Sequence, residues 1–324
     1  MKVALGISGG IDSTAAALLL KEQGADVHGV YMKVGHPNEE ISLSKAIEAA
    51  DRLHLPLEVF DLTTEFAAYV INYIKEEYPA GRTPNPCVRC NEFIKLGLLP
   101  RISKERLGCE MFATGHYAQV KNGPKGPRLF KGIDPSKDQS YFLYRVSREV
   151  LSKVIFPLGA MYKKDVRKYA SLKGFEKLAA DSESQDFCFG DVKSLIDKTC
   201  MPGPITTRDG TKIAEHKGVS LYTVGMRRGL GIGGGGKVFY VTGIEGNTII
   251  VGPKQECIAY DVVLKDEIGD TSRAHKVKVR STGEGRLFSE GVFAVAPGQS
   301  AVFYNGDEVV GGGIIVRPIF KNDD

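Results

Sequence analysis

The stretch Val3-Ala4-Leu5-Gly6-Ile7-Ser8-Gly9-Gly10-Ile11-Asp12-Ser13-Thr14-Ala15-Ala16-Ala17-Leu18-Leu19 decides how this chain folds. Val3–Ile7 is a short apolar run of strand length, and Asp12–Gln23 carries a helical stripe through Ala15, Ala16, Leu18 and Leu19. Outward from there, Val27–Met32 reads as a second strand, Ser42–Leu53 as a helix, Leu57–Asp61 as a third strand and Glu65–Tyr78 as another helix. Strands separated by helix-length segments pair in parallel with helices on both faces, which is a Rossmann-like, doubly wound α/β sheet. Pro84 and Pro86 exclude regular helix or central strand over Gly81–Cys90. A helix is expected over Asn91–Leu107 and a strand over Met111–Thr114.

From about Gly203 the texture changes. Val238–Thr242, Thr248–Val251, Lys276–Val279 and Ser300–Tyr304 are short β-rich runs between Gly and Asn/Asp turns, the pattern of one or two small β domains. The expected division is 1–200, 201–258 and 259–324. Gly233–Gly236 reads as a mobile loop.

With 324 residues, 42% hydrophobic and 25% charged, the composition is that of an ordinary globular chain. A disordered chain, a collagen-like fibre and a small disulfide scaffold are excluded. The sequence offers neither a signal peptide nor an apolar run of membrane-spanning length, so a cytoplasmic protein with no membrane partner is expected. Charge is unevenly placed. Residues 1–80 carry a net of −6, whereas residues 81–170 hold 18 basic against 7 acidic side chains, a net of +11. That middle third is read either as a surface for a polyanion or as a solvated basic surface.

The turn Ser8–Ser13 lies where an open α/β sheet meets its ligand, at the carboxyl end of a strand. Its glycines let the backbone approach closely, and the following helix offers free N–H groups and a positive dipole end. It lacks the lysine of a Walker loop and the GxGxxG fingerprint. It resembles the SGGxDS loop of the ATP pyrophosphatase (PP-loop) superfamily, whose fold is adenine nucleotide alpha hydrolase-like and whose members split ATP between the α and β phosphates.

Six cysteines punctuate the chain. Cys87-Val88-Arg89-Cys90 is a CxxC in a proline-bounded loop, and Cys188 closes Ser184-Gln185-Asp186-Phe187-Cys188. Such a pair can chelate a metal, form a redox disulfide, or set a nucleophile beside a resolving thiol. Arg82, Arg89 and Lys95 nearby in sequence favour thiolate. Cys109, Cys200 and Cys257 read as packing residues. The six histidines show no metal-ligand spacing, and His116 alone falls inside a motif.

Together these segments resemble one family, the tRNA-specific 2-thiouridylases, which convert the C2 carbonyl of a wobble uridine to a thiocarbonyl. The matching stretches are Gly6–Ser13, Gly81–Pro86 with Cys90-Asn91, Ala113–Ala118, Lys137–Leu143, Ser184–Phe189, Tyr222–Gly225 through Gly229–Gly233, Ala296–Tyr304 and Gly311–Gly313. The resemblance covers essentially the whole chain and implies a C-terminal β-barrel after a small β-rich central domain. It implies that Gly6, Ile7, Ser8, Gly9, Gly10, Ile11, Asp12 and Ser13 hold ATP with Mg2+, and that Met32 and Gly115 border the adenine through their backbone. Asn85, Pro86 and Cys87 would meet the target base. Lys137, Asp138, Gln139 and Arg280 would contact tRNA, and Arg227-Arg228 reads as a further phosphate grip. Asp12, Cys87, Cys90 and Cys188 are the candidate catalytic residues. In the family's usual scheme the Cys188 equivalent carries a persulfide, and Cys90 forms a disulfide with it when sulfur is released.

Two departures stand out. Where the usual motif has an acid, this chain has Cys87. Three thiolates from Cys87, Cys90 and Cys188 suit a [4Fe–4S] cluster with an open iron for hydrosulfide. Sulfide delivered that way and a persulfide fed by a sulfur-relay protein both stay open as sulfur donors, as does a purely structural CxxC. The segment between Met32 and Leu57 is also shorter than usual. An adenylating ligase acting on a small molecule and a non-catalytic tRNA-binding homologue are the competing readings.

Overall fold

The computed structural model describes residues 1–181, 188–190, 192–196, 201–232 and 238–321. The chain folds as two compact units, one of residues 1–69, 87–190 and 307–309, the other of residues 70–86, 191–306 and 310–324.

The strands of the first unit, in chain order, are β1 (Lys2–Gly6), β2 (Asp26–Lys33), β3 (Leu57–Asp61), β4 (Met111–Ala113), β5 (Ala118–Gly123), β6 (Gly126–Lys131) and β7 (Val154–Ile155). Five make a sheet in the order β3-β2-β1-β4-β7, every neighbour parallel. Val3, Ala4 and Leu5 in β1 are wholly buried, which is why that strand reads as a continuous apolar run rather than an alternating one. Helix α1 (Ile11–Glu22) buries Ala15, Ala16, Ala17 and Leu20 in the same core as Val166 and Ala170 of the Lys163–Leu172 helix. Helix α2 (Glu39–Arg52) buries Ala46, Ala49 and Ala50, so small side chains let these helices lie close. The strand order reverses between β1 and β4, and their carboxyl ends open the crevice where such sheets bind ligands.

One local expectation is corrected. A helix begins at Pro86, inside the segment that the prolines were expected to keep irregular. A proline in a first helical turn gives up only an N–H that has no intrahelical acceptor. The helix runs through a π-helical stretch, Cys90–Leu98, into Leu99–Leu107 and stops at Gly108 with φ 67°. The β5–β6 hairpin, with Glu308 opposite Phe130, had no counterpart in the sequence reading. No helix among the described residues is long and apolar enough to cross a membrane.

The second unit is β-rich. Tyr240–Glu245, Thr248–Gly252, Gly203–Thr207 and Lys212–His216 form one sheet in that order, over Ile205, Val241, Ile249 and Val251. Asp261–Gly269 runs antiparallel to the strand Glu308–Ile319, and Lys276–Lys278 antiparallel to Ser300–Asn305, over Val277, Val295, Ala301 and Ile315. A β-carbon at Gly311 would stand 2.4 Å from the Ile268 carbonyl oxygen, so the Gly311–Gly313 motif serves close strand approach beside a bulge.

Two motifs separated by over two hundred residues also meet in this unit. Thr83 N–H donates to the Pro297 carbonyl at 2.8 Å, and Gln299 Nε2 donates to the Thr83 carbonyl at 2.9 Å. Arg82 makes a two-pronged pair with Glu77, at 2.6 and 2.9 Å. The mobile loop expected at Gly233–Gly236, the Ser184–Phe187 part of the Cys188 motif, and Cys200 lie outside the described residues.

Candidate functional site

The loop after β1 is held open by a small web of hydroxyls. Ser13 Oγ and Thr14 Oγ1 donate to the Gly10 carbonyl at 3.0 and 3.1 Å, and Ser8 N–H donates to Ser13 Oγ at 3.3 Å. Gly9 has φ 76°, and a β-carbon there would stand 2.6 Å from the Lys45 backbone on α2. Gly115, just past β4, faces the loop from the other side, with room for a β-carbon only 2.9 Å from Asp12. Met32 lies on β2 two residues beyond Val30, the partner of Gly6 at the end of β1. The structure therefore gathers Gly6–Ser13, Gly115 and Met32 at one end of the sheet.

Sequence reasoning missed the cation in this loop. Lys163, 6% exposed, donates from Nζ to Asp12 Oδ1 at 2.6 Å, and Tyr117 Oη donates to the same oxygen at 2.6 Å. Lys163 N–H donates to Asp134 Oδ2 at 2.9 Å, while Asp134 Oδ1 accepts from Ser136 N–H and Oγ. Tyr117 is fixed in turn by Gln139, whose Oε1 accepts the Tyr117 N–H at 2.9 Å. Asp138 Oδ1 accepts the Gly132 and Ser140 N–H groups, and Lys137 N–H donates to the Asp134 carbonyl. The Lys137-Asp138-Gln139 motif thus has a demonstrable structural task behind the phosphate loop. A basic residue opening a helix, against the macrodipole, was the signal that could have found Lys163.

The thiols form the second part of the site. Burial pushes Cys87 up to about 11, with Cys90 adding to the rise and the Lys95 ammonium opposing it. Cys90 is raised by burial and pulled back by the charge and the backbone N–H of Lys95. Cys188 is an exposed residue, yet enough protein surrounds its sulfur that loss of solvation still leads its rise to about 12. Cys90 and Cys87 add to that rise and Lys95 opposes it. The Lys95 ammonium thus opposes the rise at all three thiols, and Cys87 and Cys90 add to the rise at Cys188. The same Lys95 helps burial push His116 down to about 3, and His116 Nδ1 shares a 2.7 Å hydrogen bond with Thr114 Oγ1. His116 adjoins Gly115, the residue that faces the phosphate loop. Among the described residues no group of three or more His, Cys, Asp or Glu side chains, Cys87, Cys90 and Cys188 included, is placed to hold a metal ion.

The shortened segment after Met32 supports the Cys188 element. Glu39, 9% exposed, accepts from Tyr31 Oη at 2.5 Å and from the Val34 and Gly35 N–H groups at 2.8 and 2.6 Å. That folds the chain so that His36 meets Phe189 edge-on at 6.2 Å. Phe189 also stacks on Phe66 at 5.4 Å. In the second unit Asn85 is buried and Pro86 half-buried, while Arg227, Arg228 and Arg280 are exposed. Arg280 also lies over the Phe293 ring at 6.0 Å and donates to the Phe293 carbonyl.

Comparison with known proteins places the chain. Residues 1–191 match the family model described as tRNA methyl transferase HUP domain, 192–253 the tRNA methyl transferase PRC-barrel domain, and 269–315 the aminomethyltransferase beta-barrel domain. A tRNA-specific 2-thiouridylase MnmA from Dehalococcoides mccartyi is 40% identical over 97% of this chain and 96% of its own. The protein of that name from Desulfotalea psychrophila is 37% identical over 96% and 98%. A 4-thiouridine synthetase solved with RNA and ATP aligns over 59% of this chain and 45% of its own, at 19% identity and a TM-score of 0.40, a likeness too slight to argue from. The near-full-length identity to the MnmA proteins is decisive: the chain belongs to the tRNA-specific 2-thiouridylase family.

Proposed function

We propose that this protein uses ATP to replace O2 of the wobble uridine of tRNA with sulfur. The observation that carries the reading is one unit holding both a PP-loop and three thiols that share the Lys95 ammonium. Uridine O2 attacks the α phosphorus of ATP. The bond to the bridging oxygen breaks, its electron pair leaves with pyrophosphate, and N3 releases its proton. Sulfur then attacks C2, the C2–O bond breaks, AMP departs with that pair, and N3 regains a proton. Gly6–Ser13 and the α1 N-terminus receive the phosphates, with Met32 and Gly115 beside the adenine. Asp12 offers a carboxylate for the Mg2+ that travels with ATP, which would offset phosphate charge.

Asn85 and Pro86 meet the base, while Lys137, Asp138, Gln139, Arg227, Arg228 and Arg280 contact the tRNA. The division into 1–200, 201–258 and 259–324 and a cytoplasmic location belong to the same reading.

The sulfur source turns on Cys87. Burial opposes the ionisation of all three thiols, so a metal group bound by them would have to displace their protons. Cys87, Cys90 and Cys188 would hold a [4Fe–4S] cluster, closing up to do so, and one iron would be left for hydrosulfide. In the persulfide alternative, the outer sulfur on Cys188 attacks C2. Cys90 thiolate attacks the inner sulfur, the S–S pair stays with the transferred atom, and a Cys90–Cys188 disulfide remains to be reduced by an external thiol.

Iron and acid-labile sulfide in anaerobically purified protein test this. The cluster reading expects about four of each per chain, little of either in Cys87→Ala, and loss of sulfide-dependent thiolation in that variant. No iron after reconstitution returns Cys188 to persulfide chemistry. Pyrophosphate release without tRNA would favour the small-molecule ligase, and none with tRNA and sulfide would favour a non-catalytic binder.

A further inference from the structure

Lys163 is an oddly placed cation. Lysine is rarely buried without a partner, and a helix start is the end of the macrodipole that disfavours positive charge. Yet Lys163 opens its helix at 6% exposure. Its backbone is fixed by Asp134, itself 7% exposed, and its ammonium reaches Asp12 at 2.6 Å while lying 5.6 Å from the Tyr117 ring centre. The side chain is thus aimed from a rigid base into the first turn of α1. The loop itself supplies no cation, since Ser8–Ser13 contains neither lysine nor arginine. Its Ser13 and Thr14 hydroxyls are turned back onto the Gly10 carbonyl. A helix N-terminus offers only about half a positive charge, against the roughly four negative charges of a triphosphate.

We propose that Lys163 is a catalytic residue of the adenylation step. This rests on the ATP-dependent reading above. Asp12 holds the ammonium at 2.6 Å, and when ATP enters, Nζ transfers to the α and β phosphates beside the bridging oxygen. As uridine O2 bonds to the α phosphorus, the bond from that phosphorus to the bridging oxygen breaks and its electron pair moves onto pyrophosphate. Lys163 meets the charge that builds there, donating hydrogen bonds without giving up its proton. Release of Asp12 Oδ1 at the same moment frees that carboxylate to face a cation, so the lysine couples nucleotide entry to the readiness of Asp12.

The test compares the full-length wild type with Lys163→Gln and Lys163→Arg. It measures first-turnover pyrophosphate release with tRNA, ATP affinity by calorimetry, and melting temperature. Loss of one preorganised donor to a developing anion typically lowers rate by about 100- to 1,000-fold. Lys163→Gln is expected to fall by that factor with ATP affinity changed by less than about tenfold, and Lys163→Arg to recover at least about tenfold of the loss. A Lys163→Gln rate within about threefold of wild type would overturn the proposal. So would equal loss in both variants with ATP affinity and melting temperature falling together, which marks a structural prop. If Lys163→Gln does not fold, Lys163→Arg decides alone: a folded variant that binds ATP and turns over slowly supports the role, and wild-type turnover sinks it. A wild type that releases no pyrophosphate with tRNA would instead count against the functional reading itself.

Discussion

His116 shows how a single buried side chain sets a pH limit. Its pKa is depressed to about 3, so below the ordinary histidine value the unfolded chain binds a proton that the folded chain refuses. Stability is present above that value and lost as pH falls, with a slope of up to ~1.4 kcal/mol per pH unit. Urea unfolding at pH 6.5 and pH 5 should show His116→Asn sparing about 2 kcal/mol of the wild-type loss, and an unchanged difference would refute the assignment. At this scale legibility followed sequence distance. The phosphate loop is a hexapeptide, and Cys87 and Cys90 have only two residues between them, so their chemistry could be read directly. Lys163 acts on a residue 151 positions earlier, and no local pattern encodes that meeting.

Elements were legible where burial is two-sided or periodic, and less so where the backbone departs from standard geometry. β1 announced itself because both its faces are buried, and α1 because Ala15, Ala16, Leu18 and Leu19 form an apolar stripe of helical spacing. The π-helical stretch Cys90–Leu98 has no such mark, yet it sets Lys95 against Cys90. Gly97 belongs to that geometry, since a β-carbon there would stand 2.5 Å from the Glu92 carbonyl oxygen. Gly97→Ala should therefore destabilise the protein by about 1–3 kcal/mol. It should also shift the reactivity of the Cys90 thiol toward alkylating reagents. A melting temperature and alkylation rate equal to wild type would show that the wide turn tolerates a side chain.

For the whole molecule, the uneven charge is the property most open to measurement. The net of +11 over residues 81–170 belongs to a chain whose total is only +4, so tRNA affinity should respond to salt far more than the total suggests. Each neutralised phosphate steepens the fall of log affinity with log salt by a little under one, and each exposed arginine removed should flatten it equally. Arg227→Gln with Arg228→Gln is expected to lower the slope by about 1.5, and an unaltered slope would remove that pair from the tRNA surface. The sequence could place charge along the chain but not in space. It also gave no hint that residues 70–86 would fold with the β-rich part of the protein.

That last arrangement has a consequence for how the protein is made. Thr83 leaves the ribosome long before Gln299, and the bonds between them span 216 positions. At an elongation rate of about 5–20 residues per second, the Arg82-Thr83-Pro84 segment waits roughly 10 to 45 s for its partners. During that interval the segment next to the CxxC is unmoored. Completion of the chain is then the event that fastens it, so a product cut short before Pro297 carries Cys87, Cys90 and Cys188 but not the bonds that fix Thr83.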